Sequence, residues 1–172
     1  MTRIVVMGVA GCGKSVLASH LARRLRCPMV EGDEFHLPSS QEKMRAGIPL
    51  DDADREPWLA RLGAHLASSA GSMVLSCSAL KRKYRERLRS FVPDLKFVYI
   101  EIDVHTAAQR VAQRSGHLFP KSLVTSQFAA LESPVGERGV FEVSALQPTQ
   151  AQAAAVAQWL ATPAPTTLQQ GD

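Results

Sequence analysis

Residues 8–15 read Gly8-Val9-Ala10-Gly11-Cys12-Gly13-Lys14-Ser15 and match the pattern G-x-x-x-x-G-K-[ST]. Before them, Arg3–Val9 (RIVVMGV) is a β-branched run that reads as a buried parallel strand. After them, Leu17, Ala18, Leu21, Ala22 and Leu25 recur at the spacing of one helix face, between Lys14 and Arg26. Strand, glycine loop and helix in that order form the context in which this pattern binds phosphate. Glycines let successive backbone N–H groups converge on phosphate oxygens, and the helix turns its positive end toward the same anion. The eight residues are therefore candidate nucleotide-binding residues, with Lys14 reaching the β- and γ-phosphates and the Ser15 hydroxyl ligating Mg²⁺. Cys12 beside a helix N-terminus invites a redox role, but the simpler reading is a position that takes any small residue.

Strands and helices go on alternating downstream. Pro28 ends the first helix, and Pro28–Glu31 feeds a second strand. Ser39–Gly47 is expected to be a helix capped by Ser39 and Glu42, and a second helix should run from about Asp52 or Asp54 to Ser69 with acidic residues in its first turn. Met73–Cys77 reads as the third strand, followed by a basic helix from about Lys81 to Ser90. Lys96–Ile102 is the fourth strand, His105–Arg114 and Ser122–Glu132 are helices, Val140–Val143 is a last strand and Thr149–Leu160 a closing helix. The end of the chain, residues 162–172, has two prolines and little to bury, and is expected to be disordered. This alternation argues for an α/β fold with a parallel sheet.

A length of 172 residues fits a single domain, here residues 1–161. Lys and Arg number 20 against 16 Asp and Glu, a mildly basic balance that suits small anions as well as nucleic acid. Aromatic residues are only 6% and are not interleaved with the basic ones, which disfavours a stacking surface for nucleic acid. The three cysteines, Cys12, Cys27 and Cys77, show no CxxC spacing, so neither a zinc site nor a disulfide framework is expected. No run approaches the roughly 18 apolar residues that span a membrane. The N-terminal apolar stretch is too short for a signal peptide, and a cytoplasmic protein is expected.

The chemistry has to come from outside the glycine loop. Nothing reads as the guanine-recognition motif NKxD, and the strand MVLSC lacks the terminal Asp with which many nucleotide hydrolases hold magnesium. The second strand instead ends in Glu31-Gly32-Asp33-Glu34-Phe35-His36. Residues just past the strand C-termini line the ligand crevice of such sheets. Asp33 would then face the transferred phosphoryl group, placed to hold a substrate hydroxyl or accept its proton. Ser78, just after the third strand, belongs to the same crevice.

Glu31–His36 (EGDEFH), Glu42–Leu59 (EKMRAGIPLDDADREPWL), Cys77–Arg89 (CSALKRKYRERLR), Arg114–Phe119 (RSGHLF) and Ser126–Pro134 (SQFAALESP) together resemble the gluconokinase family of P-loop kinases. The resemblance runs in order from about Ile4 to Leu160. It implies ATP-dependent phosphorylation of D-gluconate to 6-phospho-D-gluconate, with ATP and Mg²⁺ at Gly8–Ser15. It also implies a fold similar to nucleoside monophosphate kinases and shikimate kinase: a five-stranded parallel sheet in order 2-3-1-4-5, a substrate-binding helical segment at about 36–70 and a mobile lid at about 110–125. Asp33 falls where related kinases place the carboxylate that orients the acceptor hydroxyl, with His36 beside it. Arg55 falls where shikimate kinases hold their substrate carboxylate, although Asp51, Asp52 and Asp54 are alternative partners for it. Among the basic residues after Ser78, Lys81 and Arg85 are taken to reach gluconate, with Tyr84 as a further polar group and the others on a solvated face. Arg110 and Arg114 resemble lid arginines that neutralise phosphoryl-transfer charge. Gln127 either contacts a sugar hydroxyl or is an exposed helical residue. Where relatives carry acidic residues near the adenine, this chain reads Val143-Ser-Ala-Leu-Gln-Pro148, and Leu118 replaces a Phe. The family often forms dimers, and the sequence leaves a homodimer open.

Overall fold

The computed structural model describes residues 1–113 and 121–162. Five parallel strands form one sheet: β1 (Arg3–Met7), β2 (Met29–Glu31), β3 (Met73–Ser76), β4 (Lys96–Glu101) and β5 (Val140–Ser144), in the order β2-β3-β1-β4-β5. Val5 of β1 sits opposite Leu75 of β3 and Phe97 of β4. The helices are α1 (Lys14–Leu25), α2 (Pro38–Arg45), α3 (Asp52–Ser68), α4 (Arg82–Phe91), α5 (Val104–Gln113), α6 (Lys121–Ala130) and α7 (Thr149–Ala161). Among the described residues, no helix is long and apolar enough to cross a membrane.

Side chains alternate across a strand, so each central strand feeds two cores. Ile4 and Val6 of β1, with Val98 and Ile100 of β4, pack against Leu17 and Leu21 of α1, Ala107 of α5 and Val156 of α7. Val5, Met7, Phe97 and Tyr99 face the other way, onto Trp58 and Leu62 of α3 and Leu88 of α4. This explains why these strands read as continuous apolar runs: both faces are covered. Full burial of each Leu, Val or Phe contributes about 1.5–3 kcal/mol.

The start of α3 is a capping box, in which the Asp51 carboxylate accepts from the Asp54 N–H and the Asp54 carboxylate accepts from the Asp51 N–H. The expected cap of α2 is corrected. Its N-cap is Leu37, with Pro38 at the first helical position, so Ser39 lies inside the helix and makes no cap. Proline's fixed φ already suits that position. A short 3₁₀ turn, Gly32–Phe35, follows β2. A Cβ on Gly32 would lie 2.4 Å from the Ser76 carbonyl oxygen, so only glycine lets this turn approach β3. The order of strands reverses at β1, and the crevice beyond the strand C-termini opens there. Arg114, His117, Leu118 and the segment 163–172 lie outside the described residues.

Candidate active site

The loop between β1 and α1 has the geometry that a phosphate requires. Gly11 (φ 82°) and Gly13 (φ 100°) adopt left-handed conformations. A Cβ on Gly11 would meet the Ala107 carbonyl oxygen of α5 at 2.7 Å, whereas the Cβ direction of Gly13 is open. The loop can therefore approach α5 on one side and a ligand on the other only as glycine. Lys14 Nζ donates to the Val9 carbonyl oxygen at 3.0 Å, which lays the ammonium along the loop. Cys12 is 2% exposed and packs in the core.

Beside the loop lies a cavity of about 340 Å³, and it brings together Lys14, Ser15, Asp33, His36, Arg55, Ser78, Lys81 and Gln127. These residues come from α1, the 3₁₀ turn, α3, the end of β3 and α6, and only the fold makes them neighbours. Met44, Ile48, Pro49 and Leu50, from α2 and the segment after it, supply an apolar wall that the sequence reading did not foresee.

Asp33 and His36 are set by the 3₁₀ turn, which is pinned where the buried Trp58 Nε1 donates to the Gly32 carbonyl oxygen at 2.7 Å. His36 stacks on Trp58 with centroids 4.2 Å apart and an interplanar angle of 13°. Its Nε2 lies 3.9 Å from Asp33 Oδ1, and its buried Nδ1 has no hydrogen-bond partner among the described residues. Burial lowers the imidazole pKa to about 4, with Asp33 opposing and the Arg55 charge adding to the effect, so His36 is neutral near pH 7. Asp33 itself is largely exposed to the crevice.

Arg55 is half-buried, with its guanidinium carbon 5.9 Å from the Trp58 ring centroid and 5.6 Å from that of Tyr84. The three nearby acids are engaged elsewhere. Asp51 caps α3, Asp54 pairs with Lys43 at 2.7 Å, and Asp52 is held by Lys81, Lys83 and the Tyr84 hydroxyl. Hydrogen bonds from Lys83, Tyr84 and Lys81 keep the Asp52 carboxyl well below the usual range. Among the described residues Arg55 makes no ion pair, so its fork can accept an external carboxylate. Lys81 reaches the cavity as expected, but its charge is shared with Asp52 at 3.0 Å.

Two expectations change, for Arg85 and Arg110. Arg85 does not line this cavity. It is fully buried, with its guanidinium bonded to Glu137 and to the carbonyl oxygens of Ala79, Leu80 and Glu132, because a buried cation must be paired. Arg110 is tied by Nη2 to the Ala145 carbonyl oxygen at 2.9 Å and does not lie over the first cavity. It borders a second cavity, of about 420 Å³, shared by Gly11–Gly13 and the Gln147–Thr149 turn. The glycine loop thus lies between the two cavities and lines both. Gln127 is half-buried, and its Oε1 accepts from the Ala10 N–H at 2.7 Å, so α6 is fastened to the phosphate loop. Trp58 was missed as a site residue. Its signal is the i,i+3 spacing from Arg55, which puts both on one helix face.

The residues present fit a nucleotide with Mg²⁺. No group of three or more His, Cys, Asp or Glu side chains among the described residues could hold a metal alone. Mg²⁺ commonly uses one or two protein ligands together with substrate phosphates, and the Ser15 hydroxyl, beside the glycine loop in the cavity wall, suits such a ligand set.

A family model described as an AAA domain matches residues 4–134. A gluconokinase of Gluconobacter oxydans (strain 621H) is 46% identical over 144 residues, which cover 82% of this chain and 81% of that protein. The crystal structure of a gluconokinase from Sinorhizobium meliloti 1021 superimposes with a TM-score of 0.83 at 42% identity, covering 92% of this chain and 95% of that one. Shikimate kinase from Aquifex aeolicus shares the fold alone, with a TM-score of 0.62 at 17% identity over 92% of this chain and 96% of that one.

Proposed function

The chain belongs to the gluconokinase family, and on that premise we propose that it transfers the γ-phosphoryl group of ATP to the 6-hydroxyl of D-gluconate, giving 6-phospho-D-gluconate and ADP. The observation that carries this reading is Arg55, an arginine that makes no ion pair among the described residues, in the same cavity as Lys14 and Asp33. A phosphate-loop lysine, a carboxylate and an anion fork in one cleft suit an acceptor that carries both a hydroxyl and a carboxylate.

A primary alcohol has a pKa far above 7, so Asp33 does not deprotonate it in advance. It orients the hydroxyl and takes its proton as the new P–O bond forms, which suits a loose transition state. Lys14 swings from the Val9 carbonyl to the phosphates and stabilises the developing charge. Bound Mg²⁺ neutralises phosphate charge, and Ser15 is the residue that would hold it. Arg55 binds the gluconate carboxylate. Ser78, Lys81, the Gln127 amide and neutral His36 offer hydrogen bonds to the hydroxyls along the chain, while its C–H edges lie on the Met44–Leu50 wall. Residues 110–125 are read as the lid, with Arg114 as its charge-neutralising residue and Arg110 serving the nucleotide side. A cytoplasmic enzyme, with no nucleic-acid or membrane partner, completes the proposal.

The test is ATP consumption with Mg²⁺ and a panel of D-gluconate, shikimate, glycerate, AMP and no acceptor. Turnover that requires gluconate, with 6-phosphogluconate confirmed by its dehydrogenase, is expected. Turnover with a different acceptor would overturn the pocket assignments, and ATP binding without any transfer would overturn the reaction.

A further inference from the structure

Ala79 is the residue in the acceptor wall whose backbone needs explaining. It is fully buried and has φ 44°, in the left-handed region, where an L side chain crowds its own carbonyl. Its neighbours Ser78, Leu80 and Lys81 all line the acceptor cavity, so this conformation aims the wall. The structure shows what stabilises it. Arg85 Nη1 donates to both the Ala79 and Leu80 carbonyl oxygens, at 2.9 Å each. Its Nη2 donates to the Glu132 carbonyl oxygen at 3.1 Å, and Nε and Nη2 both donate to the Glu137 carboxylate. Glu137 is held in turn by Arg89 at 3.1 Å. The Leu80 carbonyl oxygen also accepts from the Glu132 N–H at 2.9 Å. Glu132 follows α6, which contributes Ser126, Gln127 and Ala130 to the other side of the cavity.

We infer that Arg85 is a positioning residue for the acceptor site, clamping the left-handed Ser78–Leu80 turn to the chain that leaves α6 and so fixing two walls of the cavity at once. The clamp depends on a planar fork. Three carbonyl oxygens and a carboxylate lie around one buried guanidinium, and five donors in fixed directions serve them all. A lysine ammonium has three donors at a single point and cannot span that set. One further bond, from the Gly8 N–H to the Ser78 carbonyl oxygen at 3.3 Å, links the turn to the phosphate loop, so loosening the turn reaches the reacting end as well.

The kinetic part of the test rests on gluconate being the acceptor; amide exchange does not. In Arg85→Lys, the KM for gluconate is expected to rise about tenfold with a fall in kcat, while the KM for ATP moves no more than about twofold, because charge is kept and only the fork is lost. Exchange at residues 78–80 should quicken in the same variant without any substrate. Adding Ala79→Gly to Arg85→Lys should recover about fivefold in gluconate KM, since glycine adopts the left-handed form without the alanine penalty. A merely structural arginine would lower thermal stability in both variants and leave the KM values of the folded enzyme unchanged, and that result would overturn the inference. Equal shifts in both KM values, or unchanged exchange at 78–80, would overturn it too. Should Arg85→Lys fail to fold, Glu137→Gln loosens the anchor with Arg85 in place, and the same selective rise in gluconate KM is expected; no rise refutes the clamp. Failure of the gluconate assignment shows separately, as wild-type enzyme that ignores gluconate while exchange at 78–80 still responds to Arg85→Lys.

Discussion

Replacing Arg55 by Ala tests the acceptor assignment most directly. The guanidinium is half-buried, rests between the Trp58 and Tyr84 rings, and has no ion pair to lose among the described residues. A charge-assisted hydrogen bond is worth about 1.5–3 kcal/mol, and partial exposure keeps the total for a two-bond contact near the lower end, about 2–3 kcal/mol. At about 1.4 kcal/mol per decade, the KM for gluconate should rise about 30- to 150-fold. The KM for ATP should stay within about twofold, since the nucleotide does not need this group. Losing two cation–π contacts to buried rings from a half-buried guanidinium costs about 1 kcal/mol each, a Tm decrease of several degrees, so the enzyme remains folded during the assay. Arg55→Lys should fall in between, because it restores the charge without the fork. Initial rates by coupled ADP release, with D-gluconate and with the neutral polyol D-glucitol as acceptors, separate the contributions. The penalty should vanish with D-glucitol, which has no carboxylate. Equal losses on both acceptors, or parallel increases in the gluconate and ATP KM values, would refute the carboxylate role.

Lys14→Ala should lower kcat by about 10²–10³-fold or more, as removal of a transition-state donor does, with little change in Tm because among the described residues its side chain makes one hydrogen bond, to the Val9 carbonyl oxygen. Wild-type turnover by that variant would remove the phosphate-loop assignment. Asp33→Asn should lower kcat by about 10²–10⁴-fold and leave both KM values close to wild type, which steady-state kinetics checks. The pH dependence of stability follows from His36, whose folded pKa of about 4 lies below the ordinary value of 6.5. The unfolded chain takes up that proton first, so the contribution is intact above about pH 6.5 and is lost as pH falls toward 4, reaching about 3 kcal/mol. Urea unfolding at pH 7, 5.5 and 4.5 should show this slope in the wild type and a flatter one in His36→Gln; identical slopes would contradict the buried neutral imidazole.

The parts of this protein that are legible in its sequence are those written in short windows. The glycine loop, the two-faced strands and the amphipathic helices follow from local dihedral preferences and from periods of 2 and 3.6 residues. Asp33 and Ser78 could be placed because they follow strands, and the ends of parallel strands converge on one crevice. Arg55 was reached by resemblance, and the structure then showed that Asp51, Asp52 and Asp54 are engaged with other partners. The cap of α2 was misread because Ser39 and Glu42 satisfy a pattern that Pro38 pre-empts one residue earlier. Arg85 was misassigned for a different reason. Within the run of basic residues that begins just before α4, nothing local separates it from Lys81, and its partner Glu137 lies 52 residues away in sequence. Gln127 and Ala10 are 117 residues apart, yet share a hydrogen bond. Local pattern therefore determined which elements form and which residue types stand at their ends. Which charge is buried against which partner was decided by packing, because desolvation makes a cation costly until the fold brings its counter-charge alongside.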